Sequence, residues 1–286
     1  MKDLGNCKFI DVHYHASPDL YERKLTAIAA GELYQTLGGA VVLRSHLGST
    51  SVQASLAQAL GLPVFPSVIL NKIAGGMDHR VVIRALAEYQ SSHSMKMIVD
   101  FPTITGRAYG SKLSRKLSPG LHQGEIQAAE SIFDDQGQIK SAAVDILKMA
   151  RDYPIVLSTG HANKAEINAL IEACYQYNVP SLIINQPAHP LTGFVAADLA
   201  ELLRHDFLWV DQTLLTLLIG HQSIEDAREI LLKLPRIIYS SDLGQASQMG
   251  VAEWTAYTQI LFSDLNLSAE REKEITLDNP LKLLMM

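Results

Sequence analysis

Short apolar β-type runs and longer helical runs alternate eight times along this chain, and few folds can absorb that order. The β-type runs cover residues 9–12, 40–43, 64–70, 95–99, 155–158, 181–184, 207–210 and 236–240. Helical periodicity fills 20–37, 51–60, 78–91, 139–151, 164–177, 196–203, 224–232 and 251–262, and a last helical segment spans 268–284. Each return from strand to strand is long enough for a crossover helix, so the strands are expected to be parallel. Eight such units suit a closed (β/α)8 barrel, the TIM barrel. An open doubly wound sheet is the rival. It often carries a Gly-rich phosphate turn after strand one, where this chain has His13-Tyr14-His15 and no GxGxxG. The expectation is an α/β fold, one domain over residues 1–286, with a long loop at 102–135 after strand four and a C-terminal helix.

Composition narrows the function classes. Of 286 residues 48% are hydrophobic and 19% charged, which excludes wholesale disorder. Lys and Arg number 24 against 30 Asp and Glu, a net charge of −6 that suits no nucleic-acid backbone. Cys7 and Cys174 stand far apart, as neither a disulfide framework nor a metal knuckle. No run reaches the ~20 apolar residues of a membrane span, and residues 1–6 lack the apolar centre of a signal peptide. No membrane partner is expected, and the expected compartment is the cytoplasm.

The histidines fall where a barrel would gather them. His13 and His15 end strand one, His46 follows strand two, His161 strand five and His189 strand six, while Asp242 follows strand eight. These carboxyl ends share one rim in a barrel. Residues i and i+2 of a strand face the same side, so both imidazoles of His13-Tyr14-His15 aim inward and Tyr14 aims at the helices. Imidazole and carboxylate are good ligands for zinc-like ions, and a catalytic ion keeps a position open for water. The set His13, His15, His161, His189 and Asp242 is therefore read as metal-binding.

Around these residues the chain resembles the amidohydrolase superfamily of metal-dependent hydrolases, and more narrowly an uncharacterised amidohydrolase-like branch. The resemblance is carried by Ile10-Asp11-Val12-His13-Tyr14-His15, Ser158-Thr159-Gly160-His161, Ala188-His189-Pro190, Ser240-Ser241-Asp242-Leu243-Gly244 and the terminal Asp278-Asn279-Pro280-Leu281-Lys282-Leu283-Leu284. Ser17-Pro18-Asp19, Ser45-His46, Leu70-Asn71, Gly75-Gly76 and Pro102-Thr103 point to the narrower branch. The resemblance implies His13, His15 and Asp242 as ligands and His161 as a further one. His189 would bind a second ion or polarise the substrate. Asp242 would serve as general base for a metal-activated water. The implied cofactor is one or two divalent transition-metal ions, zinc foremost. The implied reaction is hydrolysis of a C–N or C–O bond in a small molecule: an amide, cyclic amide, lactone or amino-heterocycle. Metal-dependent decarboxylation and a non-catalytic metal-binding barrel are the alternatives. One departure stands out: superfamily members often place a bridging lysine or glutamate at the end of strand four, where this chain has Asp100, with Lys96 near the strand's start. That favours one ion and leaves Asp100 as an open question.

Other polar residues have quieter readings. Arg44, His46 and Asn71 are substrate-binding candidates, Arg44 as an anion clamp, while His46 and Asn71 serve equally well as rim or loop-capping residues. Lys72 shares the end of strand three with Asn71. Asp11 is expected to order the base of the mouth. His79, His93, His205 and His221 are read as surface or structural, and His122 as part of the long loop. Arg107, Lys112, Arg115 and Lys116 on that loop read first as a solvated lid and second as an attraction for an anionic substrate. A homo-oligomer stays open, since barrels of this kind often pair through their outer helices.

Overall fold

The computed structural model describes residues 7–90, 95–107, 113, 115–118 and 128–286. Strands β1 (Phe9–His15), β2 (Gly39–Arg44) and β3 (Val64–Phe65) form one sheet in that order. Strands β4 (Ser67–Ile69), β5 (Met97–Asp100), β6 (Ile155–Ser158), β7 (Leu182–Asn185), β8 (Leu208–Thr213) and β9 (Ile237–Ser240) form a second. Every pairing within them is parallel. Only Pro66, which has no N–H to donate, separates β3 from β4. At the other side the chain after β9 pairs with β1: Asp242 N–H donates to the His13 carbonyl at 2.8 Å and His15 N–H to that of Leu243 at 2.9 Å.

Alternation along the strands sorts the core into two clusters. Met97, Val99, Ile155, Leu157, Leu182, Ile184, Val210 and Tyr239 pack with the helices. Their neighbours Ile98, Val156, Ile183, Trp209 and Ile238 join Ile10, Val12, Ala40, Val42 and Phe65 in a second cluster on the opposite face. Two residues beyond that apolar layer, strand after strand, the same face turns polar: Arg44 after Val42, Asp100 after Ile98, Ser158 after Val156, Asn185 after Ile183, Asp211 after Trp209 and Ser240 after Ile238. A buried polar layer on an apolar floor is what positions the site.

Three expected elements differ. The helix read over 20–37 begins only at Ala27, with the Thr26 hydroxyl accepting from Ala29 N–H. Residues before it are held by side chains instead: the Asp19 carboxylate accepts from His46 N–H, the Ser45 hydroxyl and Arg23 Nε, and those bonds outcompete a helix. The strand read over 64–70 is split at Pro66, and the terminal helix is interrupted by a π turn at Glu274–Asp278. Over 102–135 the described residues form neither helix nor strand, in keeping with a long loop; Lys112, His122 and, elsewhere, His93 lie outside the described residues. Among the described residues no helix is long and apolar enough to cross a membrane.

Candidate metal centre

A register shift between Asp11 and Tyr14 in the β1–β2 pairing re-aims the end of β1. Ile10 and Val12 face the inner apolar cluster, Tyr14 packs among the helices, and His13 and His15 come into ring contact at 5.4 Å. Asp11 takes the ordering role expected of it. Its carboxylate accepts from the N–H groups of His13 and Ser241 and from the Tyr34 hydroxyl. This ties β1 to the turn that carries Asp242. That turn is tight: Asp242 itself has a φ of 51°, and at Gly244 (φ 119°) a Cβ would overlap the His15 carbonyl. Only glycine fits there.

The resulting geometry converges on one oxygen. Asp242 Oδ1 lies 3.3 Å from His13 Nε2 and 3.4 Å from His15 Nε2. Each imidazole is held from behind: His13 Nδ1 by the Asp211 carboxylate at 2.9 Å, His15 Nδ1 by the Arg44 carbonyl at 3.1 Å. Gln186 Nε2 donates to the other oxygen of Asp242. Burial, with Arg23 and His46 beside it, holds the His15 pKa well below 6.5, so the ring is neutral. Its single proton sits on Nδ1, facing the carbonyl, and a lone pair on Nε2 faces the carboxylate. Burial also opposes charge on His13, but Asp242 and Asp211 on either side outweigh it and raise its pKa. Even a doubly protonated His13 leaves His15 Nε2 and Asp242 Oδ1 meeting lone pair to lone pair. Such a donor set fits a divalent cation, with the Asp211–His13 pair in the usual arrangement for orienting a ligating imidazole.

A second trio, His15, Asp19 and His46, is equally close. There the positive charge is already present: Arg23 is ion-paired with Asp19. His46 is fixed by Asp19 at 3.3 Å and stacks on His15 at 4.9 Å. His161 and His189 stack at 4.7 Å across the same cavity, both held neutral chiefly by burial, His189 down to about 4. Leu191 N–H donates to His189 Nδ1 at 3.2 Å, so the neutral ring carries its proton on Nε2 and is a donor rather than a lone-pair ligand. His161 is no member of the close group formed by His13, His15 and Asp242.

The cavity is narrow, about 30 Å³, and also receives Arg44, His46, Asp100, Arg115 and His221. Arg44 is fully buried and ion-paired with Asp100, so that the place expected for a bridging ligand is taken by a salt bridge. Asn71 does not line the cavity; it ties His46, Thr103 and Ile104 together. Lys72 is exposed. His79 and His205 are exposed as expected, but His221 lines the cavity and meets the His189 ring edge-on at 6.1 Å. Its place after the strand carrying Asp211 is the signal that could have found it. Asp211 and Gln186 were missed because strands seven and six were read as ending at 210 and 184, one and two residues short of them.

Comparison with known folds agrees with this architecture. A probable 2-pyrone-4,6-dicarboxylic acid hydrolase from Acinetobacter baumannii, crystallised with citric acid, aligns at a TM-score of 0.55 and 12% identity, over 96% of this chain and 98% of that one. An Agrobacterium tumefaciens protein solved in apo form aligns at 0.59 and 11% identity, over 97% and 95%. A dihydroorotase aligns at 0.57 and 13% identity, over 97% and 69%. At such identities the likeness is one of fold. No curated protein sequence matches the chain. A family profile matches residues 8–211, and by that match the chain belongs to DUF6282, a family of unknown function.

Proposed function

We propose that the chain is a metal-dependent hydrolase of a small molecule, of the amidohydrolase type, built on a closed eight-stranded barrel in which β3 and β4 count as one strand. Hydrogen bonds between β1 and the turn after β9, and an inner apolar cluster fed by residues all round the strands, support closure. The observation that carries the function is the meeting of His13 Nε2, His15 Nε2 and Asp242 Oδ1 within 4.8 Å, each imidazole fixed at its far nitrogen.

These three residues would hold one divalent cation, zinc foremost for this donor set, with His161 as the next ligand to close in. When bound, the ion supplies Lewis acidity and brings the pKa of water from about 15.7 towards ~7. Asp242 takes the proton of the attacking water and returns it to the leaving group. Gln186 fixes the carboxylate through Oδ2, which keeps Oδ1 turned toward His13 and His15. His189, with its proton on Nε2, donates to the substrate oxygen as charge develops there. His46 and Arg44 shape the wall and floor of the cavity, and Asn71 holds the loop above it.

The test is a screen of zinc-loaded protein against lactones, amides, cyclic amides, amino-heterocycles and phosphoesters, repeated with Asp242→Asn on any substrate found. Loss of nearly all turnover is expected, by ~10² or more for a lost general base. Turnover that survives Asp242→Asn unchanged would remove Asp242 from the chemistry, and released carbon dioxide would replace hydrolysis by decarboxylation.

A further inference from the structure

One cation on the cavity wall has no counter-charge among the described residues. Asp100 is paired with Arg44, and Asp242 is held by Gln186 and faces the imidazoles of His13 and His15. Among the described residues Arg115 has no ion pair, and its Nε is buried without a hydrogen bond. Its position is nevertheless built. Glu22 N–H donates to the Lys116 carbonyl and Ser118 N–H to that of Leu20, both at 2.9 Å, and Tyr21 bridges to Leu117. These bonds pin the loop to the segment after β1. The Tyr21 ring lies 5.2 Å from the Arg115 guanidinium and meets His46 edge-on at 5.3 Å. The other described basic residues of this loop turn elsewhere: Arg107 pairs with Glu166, and Lys116 with Glu22 at 2.7 Å. Among the described basic residues of the loop, Arg115 is the one that lines the cavity.

We propose that Arg115 is the anion-recognising residue of this cavity and that the substrate carries a carboxylate. The proposal rests on reading the cavity as the substrate pocket. A planar guanidinium pairs with a carboxylate through two parallel hydrogen bonds. Phosphate would match the same fork, but Asp100 and Asp242 line the cavity and oppose a second negative charge more than a first.

The test titrates the whole chain, metal-free and zinc-loaded, with acetate, propionate, acetamide and inorganic phosphate, followed by calorimetry and NMR shifts. Both carboxylates are expected to bind in both forms and acetamide to bind far less. Arg115→Gln should weaken the carboxylates about tenfold or more, the worth of one charge-assisted contact. Arg115→Lys should recover part of this, and Lys116→Gln, with the same change of charge, none of the loss. The assignment is overturned if wild type binds neither carboxylate, if Arg115→Gln and Lys116→Gln behave alike, or if phosphate binds more tightly than acetate. Arg115-dependent binding in a protein that takes up no zinc would keep this assignment and remove the hydrolase; zinc uptake without such binding would do the reverse.

Discussion

Asp211→Asn isolates the contribution of a residue that touches neither the cation nor the substrate. In the wild type, Asp211 Oδ2 lies 2.9 Å from His13 Nδ1, and its other oxygen accepts from the Ser240 hydroxyl. Asparagine is nearly isosteric. Its oxygen stays with Ser240, and its NH2 is then turned to His13 Nδ1. A nitrogen that faces a donor must accept, so the imidazole proton moves to Nε2, the atom that faces Asp242 at 3.3 Å. The lone pair needed for coordination is lost unless the ring or the amide turns. Replacing a charge-assisted hydrogen bond by a mismatched one is worth about 1.5–3 kcal/mol. At about 1.4 kcal/mol per decade this is roughly a 10- to 100-fold loss in metal affinity. Competition with a chromogenic zinc chelator measures it directly, with far-UV circular dichroism showing that the variant is folded. A folded Asp211→Asn protein whose zinc affinity stays within about twofold of wild type would refute the coupling between Asp211 and the centre.

Four further outcomes follow from the same contacts. Tyr34→Phe removes the 2.5 Å bond to the fully buried Asp11 and should cost about 1–3 kcal/mol in urea unfolding; a change under ~0.3 kcal/mol would show that Asp11 does not need it. Gly160→Ala places a Cβ into the Phe101 carbonyl at a φ of 56°, whereas Gly137→Ala at a φ of 74° meets open space. The first should therefore lose well over ~2 kcal/mol and the second only about 1 kcal/mol. Ile98→Ala, in the inner apolar cluster, should cost about 2–5 kcal/mol by the same assay. Burial pushes both thiols up, that of Cys174 far more, so at pH 8 in native protein Cys174 should resist alkylation while Cys7 reacts slowly. Fast modification of Cys174 would mean that the helix carrying it opens readily.

The strand–helix beat was legible because alternation and length are local properties, and the parallel pairings follow from them. His13, His15 and Asp242 were legible for a related reason: the carboxyl ends of parallel strands meet, whatever lies between them in sequence. What escaped depends on contacts between distant residues. The apolar spacing of 20–37 is compatible with a helix throughout, but Asp19 collects donors from Ser45, His46 and Arg23 and fixes its segment in another shape. Asp211 and Gln186 were hidden by boundary errors of one or two residues, enough to leave an inward-facing polar side chain outside its strand. Among Arg107, Arg115 and Lys116, composition could not tell which one would face the cavity. That choice was made by the backbone bonds of 116–118 to 20–22 and by carboxylates elsewhere on the surface.

The central claim, that residues more than two hundred positions apart share one cation, is tested most directly by elemental analysis of purified protein. Wild type, after reloading, is predicted to hold about one divalent transition-metal ion per chain and His13→Ala to hold almost none, while both unfold cooperatively. A wild-type protein that cannot be loaded, or a His13→Ala protein that retains its full complement, would contradict it.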